Sequence, residues 1–352
     1  MRNQKLLDLA NRKGKAPGGY CTEYYHRRLP FIFMNAVGTH NDVQTMLHEG
    51  GHAFHVFESK QLPYASQREV GMEFADIFNA FGTEVTVIEA LDQILPLEDK
   101  DSSVTVEQSF KKRGVNFYTG AIVEQAEIKK KSVVLTFKDV DGAEHSLEVD
   151  NVLSAVGRTP NTSDLGLEIA GVEIDEYGFL ISDDLMRTNI PGVYALGDCA
   201  GNQLLAHKAM HEGIVCAEAI AGKSHRSLDY RNVPNCTYCY PEVASVGLTE
   251  EQALSEGYDI EVGKFPWIGN GRALASGHSE GFVKVIRDKK YSEILGAHIV
   301  GPHATELIGE FVVGRHLEST VEEMEQAMHP HPTLSEAIAE SSLAALGRAI
   351  HI

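Results

Sequence analysis

Arg68-Glu69-Val70-Gly71-Met72-Glu73-Phe74-Ala75-Asp76 is the stretch on which the chain turns. A metal-ligand motif, His48-Glu49-Gly50-Gly51-His52, runs into it from upstream. On the other side, residues 73–81 carry apolar side chains at 74, 77, 78 and 81, a helical spacing that Gly82 ends. Thr83-Glu84-Val85-Thr86-Val87-Ile88-Glu89 then reads as a buried strand. An acidic residue ending a second strand, roughly 20 residues beyond a helix-opening glycine, is where the ribose of a dinucleotide is held. Gly71 and Glu89 fill those two places. The phosphate-binding front is broken, because a Gly-x-Gly-x-x-Gly ending at Gly71 needs glycines where Ser66 and Arg68 stand. The first of those glycines makes a tight turn, and the second lets the backbone approach pyrophosphate. The sequence reads as two unrelated pieces joined at Met72-Glu73-Phe74-Ala75.

The upstream piece has a chemistry of its own. Leu29-Pro30-Phe31-Ile32-Phe33-Met34 reads as a buried strand, and a helix is expected from about Val43 to Ser59. His48 and His52 then lie on one face, about 40° apart at ~100° per residue. Two imidazoles so placed can share one zinc ion, and Glu49 can polarise a zinc-bound water. Ala16-Pro17-Gly18-Gly19-Tyr20-Cys21, Pro30-Phe31-Ile32-Phe33-Met34-Asn35 and His48-Glu49-Gly50-Gly51-His52-Ala53-Phe54-His55 resemble the thimet oligopeptidase and oligoendopeptidase F family. That resemblance covers about residues 1–76. It implies a third zinc ligand on the next helix, at the position of Asp76, where the family carries a longer glutamate.

Composition narrows the functional classes. The 352 residues, 43% of them hydrophobic, suffice for two or three domains. A net charge of −19, spread along the chain, argues against nucleic acid. No run approaches the roughly 20 apolar residues of a membrane span. The start of the chain lacks the pattern of a secretory signal, so a cytoplasmic protein is expected. The five cysteines are Cys21, Cys199, Cys216, Cys236 and Cys239, an odd number that argues against a disulfide framework.

Beyond Glu89, a helix from Ser102 to Lys112 and strands at Val115–Thr119, Ala121–Ile128, Ser132–Phe137 and Ser146–Ala155 are expected, with a hairpin at Asp141-Gly142. Val193-Tyr194-Ala195-Leu196-Gly197-Asp198 reads as a strand delivering an Asp at its C-terminal end, where open α/β sheets bind ligands. Ala155-Val156-Gly157-Arg158-Thr159-Pro160-Asn161, Ala195-Leu196-Gly197-Asp198, Leu204-Leu205-Ala206-His207-Lys208-Ala209 and His329-Pro330-His331-Pro332-Thr333-Leu334-Ser335-Glu336 resemble the flavin-dependent disulfide reductases, dihydrolipoyl dehydrogenases above all. This second resemblance runs from Gly71 to the C-terminus.

By position, the resemblance implies that Gly71, Glu89, Val123 and Gly157 line NAD, and that Asp198, Leu204, Leu205, Ala206 and His207 face FAD. It implies His331 as general base with Glu336 as its orienting partner, acting across a homodimer on chemistry in the other subunit. A lipoamide-bearing acyltransferase is the implied partner. Chemically the pair is sensible: an imidazole titrates near neutral pH, and a carboxylate can fix its tautomer and stabilise its charged form. The family's glycine-rich flavin unit and its Cys-x-x-x-x-Cys pair are not found here, since no two cysteines are five positions apart.

The expected fold is α/β. A mainly helical zinc-peptidase-like fragment (1–70) precedes a truncated NAD-binding remnant (71–155), a returning segment of a FAD-binding domain (156–230) and an α+β dimerisation domain (231–352). The expected function is that of a dihydrolipoyl dehydrogenase-like oxidoreductase that does not turn over alone. The alternatives are a zinc metallopeptidase fragment and a non-catalytic dimerisation module.

Overall fold

A computed structural model describes residues 7–10, 19–24, 29–36, 71–223 and 227–352. It divides into two units, Met1–Glu69 with Val152–Gly157, and Val70–Asn151 with Arg158–Ile352. In the first unit, β1 (Leu7–Ala10), β2 (Gly19–Tyr24) and β3 (Leu29–Ala36) form one sheet with β3 in the middle. β3 runs parallel to β1 and antiparallel to β2. It contains the strand expected at Leu29–Met34. What is described of residues 1–70 is therefore sheet, whereas a mainly helical fragment was expected. The helix anticipated at Val43–Ser59 lies outside the described residues.

The second unit opens with α1 (Gly71–Ala80), whose Met72 and Ala75 are buried. Gly82, at φ +86°, lets the chain leave the helix. β4 (Thr86–Ile88) is shorter than the sequence suggested, and it is half-buried rather than buried. Among the described residues its one neighbour is the parallel strand β5 (Asn116–Tyr118), so one face and one edge lack the cover a central strand has. α2 (Lys100–Lys112) connects the two strands, with the Asp99 carboxylate accepting from the Asp101 N–H at its start. A three-stranded antiparallel meander follows, β6 (Ile122–Ile128), β7 (Val133–Lys138) and β8 (Glu144–Val149). The Asp141-Gly142 turn joins the last two as expected, and the Asp139 carboxylate accepts the N–H groups of Asp141 and Ala143.

One expected strand is shortened and another is not formed. β8 stops at Val149, and Val152–Ala155 carry no strand. Asp150-Asn151 breaks the run, since both side chains favour turns over a ladder. Val193–Leu196 makes only an isolated bridge, Arg187 with Tyr194, before a 3-10 turn at Gly197–Ala200. α3 (Ala206–Ile220) follows that turn.

The C-terminal domain is an antiparallel sheet of β9 (Asn235–Thr237), β10 (Glu242–Gly247), β11 (Ile260–Pro266), β12 (Phe282–Asp288) and β13 (Ile294–Gly301), in the order β11-β12-β13-β10-β9. Among the helices that flank it are α4 (Glu250–Ser255), α5 (Ala304–His316), α6 (Val321–Gln326) and α7 (Glu336–Ala345). α5 packs on β10 and β13, and α7 on β11 and β12. The approach of α7 to β11 requires Gly263, where a Cβ would sit 2.0 Å from the Ser341 carbonyl oxygen. Every residue of β13 is buried, and His298 is its one polar residue.

α1, α2 and β5 dock onto this domain. Met72, Ala75, Val106, Phe110 and Val115 form one core with Cys239, Val243, Phe282 and Val300. Around it, the Glu73 carboxylate accepts the Tyr238 N–H at 2.8 Å, and Asp76 accepts the Tyr240 N–H at 2.9 Å. Arg113 pairs with Asp76 and donates to the Tyr240 carbonyl. A second tie is buried. Lys284 on β12 reaches Asp99 at 2.8 Å, Glu250 at 2.7 Å and Asp101 at 3.1 Å. Burial pulls the Lys284 pKa down, but these three carboxylates outweigh it and hold the ammonium above its usual value. Lys284→Met would leave Asp99 buried without its cation. We expect a loss of about 3–5 kcal/mol in denaturant unfolding, and a loss below about 1 kcal/mol would contradict the assigned role of the network.

Candidate functional site

His331 and Glu336 stand where the sequence placed a general base and its partner. His331 Nδ1 is 2.8 Å from Glu336 Oε1. Glu336 opens α7, where a carboxylate is favoured by the helix dipole, and its other oxygen accepts the Thr333 N–H at 2.8 Å. The carboxylate side chain is 27% exposed and the imidazole 79%. With Nδ1 engaged, Nε2 is the nitrogen free for proton exchange with a ligand. Burial raises the Glu336 pKa, but the Thr333 N–H and the His331 hydrogen bond and charge outweigh it, so the carboxyl lies below its ordinary value.

Asp198 is exposed on the Gly197–Ala200 turn, 3.8 Å from Arg158. It stands on a tight turn rather than at a strand end. Leu205 precedes α3 and Ala206 opens it. No side chain caps that helix, so its first N–H groups are open to an acceptor. His207 is tied elsewhere, with Nε2 2.8 Å from the Pro234 carbonyl oxygen. An exposed carboxylate for sugar-like hydroxyls and an uncapped helix start are compatible with a flavin's ribityl chain and ring carbonyl.

On the nucleotide side, Gly71 is the first residue of α1, as a helix-opening glycine should be. Glu89 directly follows β4, and its carboxylate accepts the Leu91 N–H at 2.9 Å. Val123 is 44% exposed on β6. Gly157, at φ +125°, holds a backbone conformation open to glycine. The acid at the strand end suits a ribose. The residues before Gly71 lie outside the described residues, as do His48, Glu49 and His52. Asp76, the expected third zinc ligand, is instead occupied by Arg113 and the Tyr240 N–H. Among the described residues, no group of three or more His, Cys, Asp or Glu is arranged to hold a metal ion.

Cys236 and Cys239 are poor nucleophiles. Burial, helped by Glu98, pushes Cys236 up to about 11, and burial, helped by Asp76, pushes Cys239 up to about 12. Sequence reasoning passed over Lys208, Glu212 and Tyr230. They form a buried network beneath the Asp198 turn, with Lys208 Nζ 3.1 Å from Glu212 Oε2 and Tyr230 Oη 2.7 Å from Glu212 Oε1. The signal was present as two charges one helical turn apart on an otherwise apolar helix face.

Residues 69–213 match the pyridine nucleotide-disulphide oxidoreductase family, and residues 233–342 match its dimerisation domain. Both segments are similar to that family. The dihydrolipoyl dehydrogenase of Zymomonas mobilis is 43% identical over 293 residues, covering 83% of this chain and 63% of that protein. The mitochondrial dihydrolipoyl dehydrogenase 1 of Arabidopsis thaliana is 42% identical over 80% of this chain and 56% of its own length. LpdA of Mycobacterium tuberculosis superposes with a TM-score of 0.71 at 32% identity, over 77% of this chain and 58% of that one. The HOCl-induced flavoprotein disulfide reductase RclA of Escherichia coli gives 0.70 at 29% identity, over 77% and 61%. The chain spans about 60% of the length of the curated relatives it matches. Residues 1–108 match peptidase family M3, a longer stretch than the 76 residues expected, overlapping the oxidoreductase match from residue 69. Among the described residues, no helix is long and apolar enough to cross a membrane.

The geometry of the pair fixes its pH behaviour. Glu336 has a folded pKa below the 4.5 of a free glutamate, so its contribution to stability is full above about 4.5 and is lost as pH falls through the folded value. Carboxyl NMR should place the Glu336 midpoint below 4.5, with His331→Ala moving it upward. A midpoint at or above 4.5 in the unmodified chain would contradict the pairing.

Proposed function

We propose that this chain carries the proton-transfer and interface part of a dihydrolipoyl dehydrogenase-like oxidoreductase. The single observation behind the reading is the 2.8 Å His331–Glu336 pair, its imidazole facing outward from a carboxylate fixed at the start of α7. The reaction of that enzyme class takes two electrons and two protons from dihydrolipoamide, giving lipoamide, NADH and a proton. FAD, when bound, passes the electron pair from the dithiol side to NAD+. In that reaction His331 Nε2 takes up a thiol proton while Glu336 holds Nδ1–H and stabilises the imidazolium. Glu89 accepts hydrogen bonds from the nicotinamide nucleotide's ribose, and Asp198 from the flavin's ribityl hydroxyls. Gly71, Val123 and Gly157 line the nucleotide, and Leu204, Leu205, Ala206 and His207 line the flavin.

The C-terminal domain joins two copies, so that His331 serves the other subunit, and a lipoamide-bearing acyltransferase presents the substrate. These 352 residues contain no two cysteines five positions apart, so by themselves they lack the family's dithiol relay. The purified chain, given FAD, dihydrolipoamide and NAD+, is expected to form no NADH, and lipoamide-dependent NADH formation with a bound flavin spectrum would overturn that. Sedimentation should find a dimer at micromolar concentration, and a monomer would remove the shared site.

A second reading, a zinc-binding peptidase remnant, is favoured by the family M3 match and the His48-Glu49-Gly50-Gly51-His52 spacing. Metal analysis separates the readings. One zinc per chain that His48→Ala abolishes would establish it, and equal zinc in both proteins would remove it.

A further inference from the structure

Lys208 and Glu212 sit one turn apart on α3, 1% exposed each. A buried ion pair is weak evidence of stability, because desolvation offsets the attraction. This pair is distinguished by where its other hydrogen bonds go. Lys208 Nζ donates to the carbonyl oxygens of Gly197 at 3.1 Å and Gly201 at 3.0 Å, the first residue and the C-cap of the 3-10 turn. Glu212 Oε2 accepts the Gly197 N–H at 2.6 Å. With the Glu212 bond, all three ammonium protons of Lys208 are used. Glu212 Oε1 is closed off by the Tyr230 hydroxyl at 2.7 Å. Gly197 and Gly201 are both at positive φ, +74° and +78°, a backbone path open to glycine.

We infer that Lys208 and Glu212 are positioning residues that grip the Gly197–Gly201 turn from beneath and so aim the Asp198 carboxylate outward at its ligand. Neither group touches that ligand. The pair holds both ends of the turn, and Asp198 is the exposed residue between the gripped peptide groups. The ligand, a sugar-like chain such as the ribityl part of a flavin, rests on the function proposed above. The grip on the turn is a property of the chain itself.

The test compares Lys208→Met, Glu212→Gln and the double variant. Each single change strands one buried charge and is expected to lower the melting temperature. The double variant removes both charges and should recover most of that loss. Amide exchange at Gly197–Gly201 is expected to run at least tenfold faster in the double variant than in the unmodified chain, despite the recovered melting temperature. FAD titration of the same proteins should show at least tenfold weaker binding by the double variant. Unchanged turn exchange in the double variant would overturn the inference whether or not FAD binds. Failure of the unmodified chain to bind FAD would count against the flavin reading alone, since the exchange measurement still decides the grip. Faster exchange with undiminished FAD affinity would overturn the aiming of Asp198.

Discussion

The docking of α1 on the C-terminal domain is the contact on which the second unit depends. α1 presents Met72 and Ala75 to a core shared with Val243, Phe282 and Val300. Its polar residues, Glu73 and Asp76, face the loop at Tyr238–Tyr240 and take its N–H groups. The helical spacing explains this economy of residues. Positions 72, 75 and 76 recur at intervals of three and four, so one short helix offers an apolar stripe with carboxylates at its margin. An N–H bonded to an ionised acceptor makes the stronger hydrogen bond. Arg113 then balances the Asp76 charge.

Met72, Glu73, Ala75 and Asp76 are thus all engaged at the contact between α1 and the C-terminal domain. Asp76, which stands where a peptidase would carry a zinc ligand, has a full set of partners at the domain contact. A carboxylate on an exposed helix face can serve either purpose, and which one it serves is decided by what packs against the helix. Here the neighbours are α2 and the loop after β9.

Much of the architecture was legible in the sequence. The β7–β8 hairpin and the helix before β5 both follow from periodicity and turn chemistry local to each segment. The His331–Glu336 pair was legible because both partners lie within one short motif beside a helix start. The failures share a cause, which is dependence on distant neighbours. Val193–Leu196 and Val152–Ala155 have apolar content suited to a strand, yet a strand forms only where another supplies its hydrogen bonds. β4 reads as buried, and it is half-buried because among the described residues it has a neighbour on one edge only. Lys208 and Glu212 were visible as a charged pair, but their bonds to Gly197 and Gly201 join residues that only the folded turn brings together.

Asp76 acts with Arg113 at the domain contact. A double-mutant cycle in denaturant unfolding measures it directly, using Asp76→Ala, Arg113→Ala and both together. Coupling of about 0.5–3 kcal/mol is expected, the range for residues sharing one network. Effects that add to within about 0.5 kcal/mol would contradict it.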